Sequence, residues 1–136
     1  DVVWVPAEPG FSFHVVNAWD DPGDGGRVVL HTARMRATDA AGLARVDGDI
    51  GEGRKDVARL HRHVIDVIRG EVVESGPVCD VPSEFPCVNP ELVGRPSRFA
   101  WSARYADPSA ELEEGLPPLF DAVMKHNLTA GAVEAV

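Results

Sequence analysis

The sequence predicts an all-β fold, on two observations. Short runs of valine, leucine and aromatic residues recur along the chain, and clusters of Gly, Pro, Asp and Asn punctuate them at close spacing. That pattern suits a propeller, a barrel or a sandwich. Val2 to Val5, Phe11 to Val16 and Arg27 to Met35 are the first runs, and the turn-forming DDPGDGG at 20–26 joins the last two as a pair of strands. From 37 to 54, ATDAAGLARVDGDIGEGR is rich in Gly, Asp and Ala without clean periodicity. A loop or surface insertion, with room for one short helical turn, is expected near 37–56.

LHRHVIDVIRGEVVES at 60–75 sets two branched apolar runs around Arg69-Gly70, as a hairpin does. SRFAWSARYA at 97–106 reads as a further strand after the Pro- and Gly-punctuated EFPCVNPELVGRP. An acidic link, the run from Leu119 to Leu128 and a turn at Thr129 to Gly131 follow. A sheet ending here would leave unpaired edges, so the segment is expected to borrow neighbours from a longer protein. The opening at Asp1 without a methionine and the stop inside an alternating apolar run, AGAVEAV, fit that expectation.

A chain of 136 residues is long enough for one ordinary domain with a real core. Its formal charge is -9, from 13 basic and 22 acidic residues, and no cluster of Lys and Arg with aromatics overrides that balance, so nucleic acid is not an expected partner. There is no apolar stretch long enough to span a bilayer and no basic, apolar leader. Cys79 and Cys87 are too few for a disulfide scaffold and too far apart for a CxxC motif, which leaves them structural or incidental. A Gly-rich phosphate loop, GxSxG and HExxH are all missing, so the usual hydrolase and nucleotide-binding readings lose their support.

Five histidines remain as candidates. His14 lies in FSFHVVNAWDD, an apolar run that ends at Asn17 and the Asp20-Asp21 pair. Neutral imidazole is a good ligand for Fe, Zn or Cu, yet no second ligand stands nearby, and the local reading favours a satisfied core or interface histidine. His61 and His63 should face the same way on a strand, where a solvated polar face is the simpler account. His31 and His126 are isolated. Glu84, in SEFP, is either a solvent-facing turn residue or, if buried, a carboxylate that needs a partner. Glu111, Glu113 and Glu114 read as a solvated acidic loop. Asn127-Leu128-Thr129 matches a glycosylation acceptor, but nothing else indicates secretion.

Four blocks, taken together and in order, resemble the carotenoid cleavage oxygenase family, also called the retinal pigment epithelial membrane protein family. PGFSFHVVNAWDD is similar to the family's aromatic, Phe-His and Asn-Ala-aromatic-acid signature. SEFPCVNPELVGRPSRFAWSARY is similar to its Glu-Phe-Pro segment leading through Asn-Pro to Gly-Arg. LHRHVIDVIRGEVVES resembles the ladder strand before that block, and FDAVMKHNLTAGAVEAV the hairpin after it. The resemblance covers nearly the whole chain apart from the 37–56 loop, but only a middle portion of the family's length. Residues 1–136 are thus identified as a partial carotenoid oxygenase domain.

The resemblance implies a fragment of a seven-bladed β-propeller that holds a non-haem Fe(II) on its axis with four histidines. His14 aligns with one of these ligands. Glu84 aligns with a carboxylate that accepts a hydrogen bond from a ligand imidazole, although which imidazole is not fixed by the sequence. His31, His61, His63 and His126 do not fall on ligand positions. The implied reaction inserts O2 across a conjugated carbon-carbon double bond of a carotenoid or apocarotenoid, giving two carbonyl products. A stilbene-type alkene as substrate, or a noncatalytic propeller module that has lost its metal, are the alternatives. The segment by itself is expected to be inactive. The full-length protein could contact a membrane peripherally without spanning it, and would be plastid-located if plant or algal, cytoplasmic if bacterial. Asp20 stands where the family usually has Glu, and Asn127 where it usually has Asp; the second is a turn-level change. The RFAW wording at 98–101 leans toward plant-like or algal members.

Overall fold

The computed structural model describes residues 2–35, 57–106 and 120–136. The insertion expected near 37–56 and the acidic cluster of Glu111, Glu113 and Glu114 lie outside the described residues. Among the described residues, seven strands form an antiparallel meander in strict chain order: β1 Phe11–Asp20, β2 Arg27–Met35, β3 Arg59–Asp66, β4 Glu71–Cys87, β5 Phe99–Tyr105, β6 Phe120–Asn127 and β7 Ala132–Ala135. The all-β expectation holds.

The turns form where local chemistry favours them. Asp21 accepts the Gly23 N–H through its carboxylate at 2.9 Å and pairs its own N–H with the Arg27 carbonyl at 2.8 Å, which closes the β1–β2 turn. Asp66 caps the next turn by accepting the Ile68 and Arg69 N–H groups at 3.1 and 2.9 Å, and Gly70 supplies the positive φ of 70° that ends it. In the last hairpin Asn127 Oδ1 accepts the Thr129 and Ala130 N–H groups at 3.2 and 3.1 Å, a role its carboxylate counterpart could also fill.

Two departures from the sequence reading stand out. The run from Val2 to Val5 lies outside the strands, with Trp4 88% exposed, because apolar composition alone gives a segment no ladder partner. The hairpin of 60–75 and the Pro-punctuated stretch after it are also not separate pieces: β4 runs unbroken for 17 residues through Pro77, Pro82 and Pro86. Up to Pro82 it pairs with β3, and from Ser83 it pairs with β5. Proline donates nothing to a ladder, so it is tolerated where pairing shifts from one neighbour to another.

That hand-over divides the meander into two four-stranded sheets that share β4. The first consists of β1, β2, β3 and the start of β4, the second of the end of β4 with β5, β6 and β7. Between them lies a small core of Val16, Leu60, Val88, Ala100 and Leu128, with Val78 packed against it. Repetition of four-stranded sheets packed side by side is how a propeller is built. His14 and Glu84 each sit on the first strand of their own sheet.

Candidate metal-ligand site

Asn17 ties the two sheets together beside the site. It is 4% exposed, and its amide donates to the Leu92 and Arg95 carbonyls at 3.0 Å each, while Oδ1 accepts the Gly94 N–H at 2.9 Å and the Ala18 N–H at 3.0 Å. A buried amide that satisfies every donor and acceptor in this way fixes its surroundings. One side chain of the NAW block therefore clasps the whole NPELVGR turn, where a 3-10 turn over Pro90–Leu92 is capped by Asn89 accepting the Glu91 N–H.

With the sheets held so, His14 Nδ1 donates to Glu84 Oε2 at 2.7 Å across 70 residues of sequence. The two partners differ in exposure, with the imidazole side chain 43% exposed and the carboxylate 5%. The same Oε2 accepts the Phe85 N–H at 2.7 Å, and Oε1 is buried without a partner. A carboxylate acceptor fixes the ring tautomer: the proton stays on Nδ1, and Nε2 keeps its lone pair for a Lewis acid.

Phe85 completes the arrangement. It has a φ of 53°, the one positive value at a non-glycine position among the described residues, although the proline after it favours extended backbone. This left-handed turn directs the Phe85 N–H back to Glu84 and sets the ring against His14, centroids 5.2 Å apart. Phe120 meets Phe85 edge-on at 5.4 Å, and Tyr105 lies 4.8 Å behind Phe120. Burial, helped by the negative Glu84, pushes the Tyr105 phenol up to about 12, so it keeps its proton at neutral pH.

The other histidines serve elsewhere. His61 and His63 do face the same way and stack at 5.9 Å, with His63 also bonded to Ser75 at 2.9 Å. His126 is fully buried between Ser102 Oγ at 2.7 Å and Cys79 Sγ at 3.5 Å. Cys79 and Cys87 are both free thiols, and burial raises the pKa of Cys79. Among the described residues no three His, Cys, Asp or Glu side chains converge as a metal cage. His14 fits a metal as one ligand by its donor chemistry.

Sequence reasoning missed the Asn17 clasp and the left-handed Phe85. The first had a signal, an Asn inside an apolar strand with no turn of its own to serve. The second had none.

The family profile described as retinal pigment epithelial membrane protein matches residues 1–136. The chain belongs to that family. It is 30% identical over 133 residues to the apocarotenoid-15,15'-oxygenase of Synechocystis sp. (strain ATCC 27184 / PCC 6803 / Kazusa), a match covering 93% of this chain and 24% of that protein. Among solved structures, cobalt-substituted Synechocystis ACO superimposes with a TM-score of 0.69 at 26% identity, covering 97% of this chain and 26% of the other. An ACO/RPE65 chimera gives a TM-score of 0.70 at 24% identity, again over 97% of this chain and 26% of its own length, and supports the fold alone. The chain thus spans about a quarter of the length of the family members it matches. Its two sheets are a fragment of the family's propeller. No helix among the described residues is long and apolar enough to cross a membrane.

Proposed function

We propose that the chain is a segment of a non-haem Fe(II) dioxygenase that cleaves a conjugated carbon-carbon double bond of a carotenoid or apocarotenoid with O2 to give carbonyl products. The observation that carries this reading is the buried Glu84 carboxylate on His14 Nδ1, which leaves Nε2 as the ligating nitrogen. Membership of the family and likeness to an apocarotenoid oxygenase support the substrate class.

Iron bound there would activate oxygen toward the alkene. The chain's own residues act by position. Glu84 orients the imidazole and offsets positive charge beside it, Phe85 packs against one side of the ring, and Asn17 holds the two sheets in register so that His14 and Glu84 meet. Peripheral contact of the full chain with a membrane would suit a lipid-dissolved substrate. The segment alone supplies one ligand and open sheet edges, so it is expected to show neither turnover nor tight iron binding.

The test is His14→Ala in the full-length protein, with iron content and alkene cleavage both measured. The expected result is iron well below stoichiometric and no cleavage above background. Wild-type iron and turnover would overturn the assignment of His14.

A further inference from the structure

Two irregularities interrupt the β1–β2 ladder on either side of His14, one between Phe11 and His14 and one between Val15 and Asn17. At the second, Val15 faces Thr32 and Asn17 faces His31, so Val16 is an extra residue without a partner of its own on β2. Such a bulge changes which way the flanking side chains point. Residues three apart on a regular strand lie on opposite faces. The partners of His14 and Asn17, Ala33 and His31, are two apart on β2, which returns His14 and Asn17 to the same face. Val16 and Asn17 are accordingly both buried, although they are neighbours on one strand.

The bulge decides what each side chain can reach. His14 meets Glu84, 70 residues on, and Asn17 meets the Leu92, Gly94 and Arg95 backbone, 75 to 78 residues on. Were the extra residue placed outside the span from His14 to Asn17, one of the two would turn away from these partners. Among the described residues β1 pairs with β2 alone, so no ladder on its other edge holds the bulge in place. Two side chains do. Val16 is seated in the core with Leu60, Val88, Ala100 and Leu128. Asn17 makes the directional contacts: Oδ1 accepts the Ala18 N–H, which fastens the side chain to its own strand just past the bulge, and its other three hydrogen bonds go to the turn that follows Glu84.

We propose that Asn17 is a positioning residue for the metal ligand, locking the Val16 bulge against the Leu92 to Arg95 turn so that His14 stays aimed at Glu84. This rests on His14 being the ligand proposed above. The aim of the ring at Glu84 is a property of the fold, and it can be read without metal.

The experiment uses the full-length protein, stripped of metal for one measurement and titrated with Fe(II) for the other. The Nδ1–H resonance of ring-labelled His14 reports its bond to Glu84, and iron affinity reports the consequence. In Asn17→Ala the resonance should leave its strongly hydrogen-bonded position, and iron affinity should fall at least about tenfold. Leu128→Ala removes core packing on the opposite side of the clasp, and it should leave both readouts at the wild-type level while lowering thermal stability. Gly94→Ala covers the case in which Asn17→Ala does not fold. Gly94 is an exposed turn glycine with a φ of 78° where a Cβ meets nothing within 4 Å, so the variant should fold while strain in the turn shifts the N–H that Asn17 accepts. The His14 resonance should then move in the same direction, with a smaller loss of iron. A resonance unchanged in the folded variants, or one that Leu128→Ala moves as far, would overturn the proposal. A moved resonance with wild-type iron affinity would uphold Asn17 as what positions the ring and overturn the reading of His14 as a ligand.

Discussion

His14 and His126 occupy opposite kinds of site within the same pair of sheets. Each links β4 to another strand, and each holds a ring nitrogen at 2.7 Å from an oxygen. Beyond that they diverge. His14 is half open to solvent and bonded to a buried carboxylate, which takes one nitrogen and leaves the other available. His126 has no exposed surface, and the Ser102 hydroxyl and the Cys79 thiol occupy both of its nitrogens. Burial alone lowers its pKa, so the ring stays neutral. A histidine becomes a ligand candidate when an anion holds one side and nothing holds the other. With neutral partners on both sides it becomes a strut.

Truncation of the strut should give the larger stability effect. His126→Ala removes a fully buried ring and strands the Ser102 hydroxyl, which should lower the stability of the full-length protein by roughly 2–4 kcal/mol, read from the denaturant midpoint. Iron per folded molecule should stay at the wild-type level. Loss of iron from a folded His126→Ala protein would break the comparison, because the buried histidine would then serve the metal as well.

Glu84→Gln should act the other way round. The amide keeps an acceptor for the Phe85 N–H, so stability should change little, but the charge that orients His14 is gone. Iron retention or turnover should fall roughly 10- to 100-fold. Iron affinity and rate both equal to wild type would mean that the carboxylate only supports the backbone turn.

The sequence made the strands legible wherever a turn marked their ends. DDPGDGG, Arg69-Gly70 and the Thr129 to Gly131 turn each carry local chemistry that closes a hairpin, and all three hairpins formed. The continuous β4 was not legible, because prolines ordinarily end a strand, whereas here Pro77 stays paired with β3, Pro82 stands at the transfer between partners and Pro86 falls in the irregularity of the β5 pairing. At the site, the residue types His14 and Glu84 could be picked out by resemblance, but their pairing could not. It depends on the Asn17 clasp, a contact across more than 70 residues that leaves no periodic trace in the chain. His126 and His31 look alike in sequence as lone strand histidines, and only packing shows one satisfied and the other orphaned.

The smallest effect is expected at Phe85, where backbone and ring can be separated. The ring is 58% exposed, so its removal forfeits little burial, whereas a φ of 53° costs any residue with a Cβ on the order of 1 kcal/mol or more. Phe85→Ala loses the contacts with His14 and Phe120 and keeps the backbone cost. Phe85→Gly loses the same contacts and removes that cost, offset in part by the greater freedom glycine gives the unfolded chain. Glycine should therefore be the more stable of the two by a few tenths to about 1 kcal/mol, while both lose turnover to a similar extent because both lack the ring beside His14. Equal stability of the two variants would show that position 85 relaxes out of the left-handed region once the ring is gone. The ring itself would then be what holds the turn that brings the Phe85 N–H to Glu84.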